Sequence, residues 1–321
     1  MSELALLPAG LGEVASAIPT SVYPDAGEVD PAALAAATFF VPVYMGPPAN
    51  LALMARMPQL RVCQMLTAGF DNALAHLPPG VTLCNASGVH DASTAELALG
   101  LIIANLRGLD DAARDMQQGI WRHRRLPALA DKIVLVIGAG GVAQAIRRRL
   151  EPFEVEVIMM GRTARAGVRG LAELDAILPT VDVVILVVPL DSTTTGMVDA
   201  NFLARMKDGA LLVNVARGKV VQTDALLAEL GTGRLRASLD VTDPEPLPQD
   251  HPLWSAPGLL ISPHVGGNSS AFLPRARRLV REQLDRLAVG NEIVNRVARG
   301  EPMVTMSQLP PTGRLISRMT E

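Results

Sequence analysis

The sequence predicts an α/β protein, with a doubly wound parallel sheet inserted in a smaller α/β lobe. Three observations carry this. Apolar runs at 133–137, 155–160, 182–188, 210–215, 236–240 and 259–262 alternate with helical stretches at 142–151, 171–178, 199–207 and 223–230. Unbroken apolar runs suit strands buried on both faces. The first run breaks into Gly138–Ala139–Gly140–Gly141–Val142–Ala143, and an amphipathic stretch begins at once. A second, shorter alternating block precedes it.

In that first block Phe39–Tyr44, Leu60–Leu66 and Val81–Asn85 read as strands, with helices at Pro31–Ala37 and Ala49–Met57. The expectation is a small, parallel, flavodoxin-like lobe. Asp91–Ala92–Ser93–Thr94–Ala95–Glu96 then has the form of a helix start, with Ser93 followed three residues later by Glu96. The apolar periodicity continues to about Gly119, which predicts one long helix joining lobes or packing against a second subunit. After Pro263 a helix over about Ser270–Val289 carries the chain back to the first lobe. The expected division is a discontinuous substrate domain, 1–97 with 284–321, around a dinucleotide-binding domain, 98–283. The tail 301–321, with Pro310–Pro311, is expected to have little fixed structure.

Composition narrows the function classes. At 321 residues the chain exceeds one typical domain, so two lobes are expected. With 49% hydrophobic but only 3% aromatic residues, the core must be Ala, Leu, Val and Ile. A net charge of −3 offers nothing to nucleic acid or a membrane surface. No secretory signal or membrane span is expected. Cys63 and Cys84 sit in apolar runs without Cys-x-x-Cys spacing, so they read as buried free thiols in a reducing, cytoplasmic setting, with no metal site.

The glycine turn supplies the first chemistry. Gly138-x-Gly140-x-x-Ala143, after a strand and opening a helix through Gly141 and Val142, lets backbone approach a pyrophosphate. This is the Rossmann arrangement. At the end of the second run an acid would hold the ribose hydroxyls of NAD, but the chain has Gly161–Arg162–Thr163, with Arg165 close behind. A guanidinium attracts the extra phosphate of NADP, so NADP(H) is expected, with NAD as a lesser alternative. The plain alternative for Arg162 is a solvated turn residue.

Three ionisable residues stand at or just past strand ends, where ligands bind in open α/β sheets. Arg217 follows Leu211–Ala216, Glu245 lies in Asp243–Pro244–Glu245–Pro246, and His264 follows Leu259–Pro263. Alone, Arg217 could pair with a surface acid and Glu245 could be a solvated carboxylate. His264 is one of five histidines; His76, His90, His123 and His251 show no matching partners in the sequence. Only the three together point to catalysis.

Asn214–Val215–Ala216–Arg217–Gly218, Leu239–Asp240–Val241 through Glu245–Pro246, and Ser262–Pro263–His264–Val265–Gly266–Gly267 resemble the signature blocks of the D-isomer-specific 2-hydroxyacid dehydrogenases. The correspondence runs to about residue 297, in the family's order and spacing. The resemblance implies a two-lobed dimer with its active site in the interlobe cleft. Arg217 would bind the substrate carboxylate and polarise its carbonyl, His264 would exchange the proton, and Glu245 would orient the imidazole. Thr67, Ala68 and Gly69, in a loop resembling the family's carboxylate loop, would grip the substrate with Arg217 and His264. Pro189, Thr194, Ala216, Asp240 and Gly266 would join the glycine turn on the cofactor, with Asp240 taking the nicotinamide carboxamide.

Departures refine this. Family members that oxidise formate carry glutamine where Glu245 stands, which disfavours that reaction. Gly161–Arg162–Thr163 is similar to the NADPH-dependent reductases of glyoxylate or hydroxypyruvate, and the extra C-terminal regulatory domain of some phosphoglycerate dehydrogenases is not expected. The leading expectation is NADP-dependent reduction of such a 2-oxo acid to a D-2-hydroxy acid. The rivals are a nucleotide-sensing protein like the corepressors on this fold, and an amino-acid dehydrogenase on a similar scaffold. Trp121 either reaches a partner's site or is a core residue. Met45, Leu66 and Phe70 suggest a modest apolar substrate pocket.

Overall fold

The computed structural model describes residues 3–301, so the expectation for the tail falls, from residue 302 on, outside the described residues. The chain opens with β1 (Ala5–Pro8) and β2 (Thr20–Tyr23), then α1 (Pro31–Ala36), where Asp30 caps the helix by accepting the Ala32 amide at 2.9 Å. β3 (Phe39–Phe40), α2 (Pro48–Ala52), β4 (Val62–Gln64) and β5 (Thr82–Cys84) follow. The crossover is made by α3 (Asp91–Arg107) and α4 (Leu109–Gln117).

The second unit runs β6 (Ile133–Ile137), α5 (Gly141–Leu150), β7 (Glu156–Gly161), β8 (Arg169–Gly170), α6 (Leu174–Ile177), β9 (Val183–Leu186), α7 (Ala200–Arg205), β10 (Leu211–Asn214), α8 (Thr223–Gly231), β11 (Arg236–Leu239) and β12 (Leu259–Ile261). α9 (Phe272–Ala288) brings the chain back to β13 (Arg296–Arg299). Two sheets result, with strand orders β13-β5-β4-β3-β1-β2 and β12-β11-β10-β9-β6-β7-β8. The larger is parallel throughout, and its order turns back between β6 and β9. That switch point is where a crevice must open beyond the strand ends.

Side-chain alternation fills both faces of the larger sheet. Val134 and Val136 pack with α3 and α5, while Leu135 and Ile137 pack toward α7 and α8. All four are essentially fully buried, each contributing about 1.5–3 kcal/mol of transfer free energy. This is why the strand carries no polar residue.

Several expectations need correction. The single helix to Gly119 is two helices, because Gly108 adopts a left-handed conformation (φ 56°) and ends α3. The Ser93–Glu96 capping arrangement does not form: the helix starts at Asp91, Ser93 Oγ donates back to the His90 carbonyl, and Glu96 pairs with Arg149. β1, β2, β8 and β13 are additional to the strands that the sequence predicts. β13 runs antiparallel on β5, so the small sheet is not wholly parallel. Cys63 and Cys84 are buried free thiols in separate cores, those of Phe40 and Phe39 respectively. Among the described residues no helix is long and apolar enough to cross a membrane.

Candidate active site

The β6–α5 turn forms the floor of a cavity of about 310 Å³ in the cleft between the two sheets. Gly138 has φ 130°, and a Cβ there would fall 2.5 Å from the Val187 carbonyl oxygen, so the turn needs glycine. Gly140 caps α5 in extended geometry, no side chain caps the helix, and its first turn holds no acid. The amides and dipole of α5 therefore face the cavity, which Gly140, Gly141, Val142, Val188, Pro189 and Ala216 also line. This cradle fits a dinucleotide pyrophosphate.

Beyond β7, Arg162, Thr163 and Arg165 are exposed. Arg165 Nη2 reaches back to the Ala139 carbonyl at 3.4 Å. Arg162 is not free: its Nη2 donates to Asp191 Oδ2 at 2.7 Å. Hydrogen bonds from the Thr193 hydroxyl and amide, with Arg162 alongside, hold the Asp191 carboxyl down at about 2. Thr194 closes the same loop, its hydroxyl donating to the Pro189 carbonyl at 2.7 Å and accepting the Asp191 amide at 2.9 Å. That hydroxyl shapes the loop.

Arg217, at the end of β10, lines the cavity opposite Ala68, Gly69 and Asp71. Its Nη1 donates to the Ala216 carbonyl at 2.8 Å and its Nε to Asp71 Oδ1 at 3.3 Å. Thr67 Oγ1 donates to the Gly69 carbonyl at 2.6 Å, and Asn85 Nδ2 to the Ala68 carbonyl at 2.7 Å, which fixes the facing loop. Past β11 and β12, His264 Nδ1 and Glu245 Oε1 are 2.5 Å apart. Burial would raise the Glu245 carboxyl, but the His264 hydrogen bond and charge, the Thr242 amide and the Arg217 guanidinium outweigh it and hold it below the usual range. Arg217, Glu245 and His264 thus share one electrostatic neighbourhood, although the last two do not line the cavity.

His264 sits at φ 52°, an uncommon conformation for a residue with a side chain. Asp240 over-determines it. Its carbonyl accepts the His264 amide at 2.8 Å, Oδ1 accepts Ser262 Oγ at 2.6 Å and the Val265 amide at 2.9 Å, and Oδ2 accepts the Gly266 amide at 2.9 Å. The buried Asp240 carboxylate is therefore chiefly a support for the histidine loop.

Sequence reasoning missed four residues here. His90, set aside as unpartnered, is 5% exposed, with Nε2 2.7 Å from the Leu66 carbonyl oxygen and Nδ1 3.2 Å from that of Gly267. Tyr44 and Phe272, in contact with each other, pack beside its ring. It thus ties the strand leading to Thr67–Gly69 to the His264 loop. Asp71, Asp91 and Asp191 are the others: the first two line the cavity, and although Asp71 ends the loop that resembles the family's carboxylate loop and Asp91 opens the helix-start pattern, neither pattern assigns it a place at the site. Of the expected apolar pocket, Leu66 is buried, while Met45 is 54% exposed. Trp121, at 93% exposed, is not a core residue.

A profile described as D-isomer specific 2-hydroxyacid dehydrogenase, NAD binding domain, matches residues 99–266. The human glyoxylate reductase/hydroxypyruvate reductase is 32% identical over 260 residues, 76% of this chain and 76% of that protein. A D-isomer specific 2-hydroxyacid dehydrogenase from Xanthobacter autotrophicus Py2, solved with NADPH and MES, superposes with a TM-score of 0.76 at 26% identity, covering 92% of this chain and 98% of that one. The NADPH-dependent glyoxylate/hydroxypyruvate reductase of Sinorhizobium meliloti, solved with NADP and sulfate, gives 0.78 at 25% identity, over 92% and 98% of the two chains. Fold and site define a two-domain dinucleotide-dependent oxidoreductase of small 2-oxo and 2-hydroxy acids. The chain belongs to the D-isomer-specific 2-hydroxyacid dehydrogenase family.

Proposed function

We propose that this protein reduces glyoxylate or hydroxypyruvate to the corresponding hydroxy acid with NADPH, accepting NADH less well. The observation that carries the reading is the His264–Glu245 pair standing with Arg217 at the ends of β10, β11 and β12. Arg162, Thr163 and Arg165 beyond β7, where the NAD-specific acid is absent, support the cofactor preference. So do the relatives solved with NADP or NADPH.

In this reading the Arg217 fork and the backbone of Thr67–Gly69 hold the substrate carboxylate and draw electron density toward the carbonyl oxygen. NADPH, when bound, supplies the hydride. Because Glu245 engages Nδ1, Nε2 is the ring nitrogen left to deliver a proton to that oxygen, and it takes the proton back in the reverse direction. Asp240 holds the loop that sets the ring's direction, and Asp71 steadies Arg217. Without proton delivery, carbonyl reduction would leave an alkoxide in the cleft.

The division into 1–97 with 284–321 and 98–283 belongs to the same proposal. Its cuts fall within α3, whose apolar residues pack in the core of the larger sheet, and within α9, whose apolar residues pack in that of the smaller sheet. A homodimer is supported by the exposed apolar side chains of Leu109, Met116, Ile120 and Trp121 on and after α4. A cytoplasmic setting is supported by the two reduced cysteines. The test is a rate panel of 2-oxo acids with each cofactor. Fast NADPH oxidation with glyoxylate or hydroxypyruvate is expected. Turnover only when ammonia is added, or none with any 2-oxo acid, would contradict the reading.

A further inference from the structure

The Arg162–Asp191 pair has a consequence for cofactor choice. Arg162 follows β7 and Asp191 follows β9, and those strands flank β6 in the sheet. The pair therefore spans the end of β6, over the glycine turn that receives the dinucleotide. Asp191 is aimed there. Its Oδ1 is fixed by the Thr193 amide at 2.8 Å, the Thr193 hydroxyl at 2.6 Å and the Thr194 amide at 3.2 Å, which leaves Oδ2 for the Arg162 guanidinium at 2.7 Å. Such an Asx-type turn holds a short side chain in one direction.

We propose that Asp191 is a specificity-determining residue: it engages the guanidinium that a 2′-phosphate would take, and so lowers the site's preference for NADP(H) over NAD(H). This rests on the reading of Arg162 as the residue that meets that phosphate. A 2′-phosphate adds close to two negative charges and several strong acceptors. It must share or displace the Asp191 carboxylate on one guanidinium fork, and it meets a like charge beside it. A 2′-hydroxyl does neither, and the ion pair survives beside it. The chain thus lacks the acid that ordinarily follows this strand but brings one to the same place from a neighbouring loop.

Asp191→Asn separates the effects cleanly. Asparagine keeps a carbonyl oxygen for the Thr193 and Thr194 donors, so the turn is retained, while the charge facing Arg162 is lost. The measurement is calorimetric binding of adenosine 2′,5′-bisphosphate and of 5′-AMP to wild type, Asp191→Asn, Arg162→Ala and the double variant. Asp191→Asn is expected to tighten the bisphosphate roughly three- to fivefold, the scale of an exposed ion pair, and to leave 5′-AMP within about 1.5-fold. Arg162→Ala weakens only the bisphosphate, and in that background the gain from Asp191→Asn shrinks below about twofold. Unchanged or weaker bisphosphate binding in Asp191→Asn, or equal tightening of both ligands, overturns the proposal while leaving Arg162's role intact. If Arg162→Ala leaves the bisphosphate unaffected, the phosphate reading of Arg162 falls, and this proposal with it.

Discussion

Gly69 lies so close to Arg217 that a Cβ built on it would fall 1.1 Å from the guanidinium Nη2. The two residues come from different sheets, so the absence of a side chain on one lobe is what lets the other lobe's cation reach the cleft. Gly69→Ala must push the guanidinium aside. A displacement of that size costs about a hundredfold in kcat/KM for a 2-oxo acid. Dinucleotide binding, measured by fluorescence, should stay within about twofold, since the β6–α5 turn is untouched. Unaltered kcat/KM would mean that Arg217 does not need this approach.

His90 is predicted to hold two loops in register. Replacing it with alanine leaves the Leu66 and Gly267 carbonyls without their ring partner and removes the ring that packs beside Tyr44 and Phe272. Stability should fall by about 1–3 kcal/mol in urea unfolding, and KM for the 2-oxo acid should rise in the folded fraction. His90→Asn, which can still reach one carbonyl, should recover part of both losses. A variant equal to wild type in midpoint and KM would show that the bridge is idle.

How far the sequence discloses all this depends on residue and distance. Apart from the two-residue edge strand β8, the strands of the larger sheet are legible because Ile133–Ile137 and its neighbours are buried on both faces and cannot carry polar residues. Strands at edges follow no such rule. β2 is only partly buried, and β13 is Arg-Val-Ala-Arg, with both arginines exposed. Arg217, Glu245 and His264 stand out because each follows a strand that can be read. The contacts that aim them cannot be seen this way. Asp71 lies 146 residues from Arg217, and His90 lies 177 from Gly267. No periodicity connects such pairs, and only the packing of the two lobes brings them together.

The Glu245 carboxyl is held below the ordinary glutamate range in the folded protein, so ionised Glu245 adds stability above that range, and the gain is lost as pH falls through the lowered value. Glu245→Gln keeps an acceptor for His264 without the charge. Thermal melts should show wild type ahead of the variant at pH 6, with the gap closing below about pH 4. A gap that stays constant from pH 6 to pH 3 would rule out this coupling.

The apolar surface on and after α4 is predicted to be covered by a second copy of the chain. Trp121→Ser combined with Met116→Glu removes its two most exposed members. Light scattering should report a dimer for wild type at micromolar concentration and a monomer for the variant. A wild-type monomer would leave this surface without the proposed role.

The central claim is that His264 moves the proton that carbonyl reduction requires. Its most direct test is His264→Ala, assayed by single-turnover oxidation of NADPH with glyoxylate, alongside NADPH binding. Loss of a positioned proton donor should slow the chemical step by about 10²–10⁴-fold, while NADPH binding stays near the wild-type value. A variant that oxidises NADPH at the wild-type rate would contradict the account.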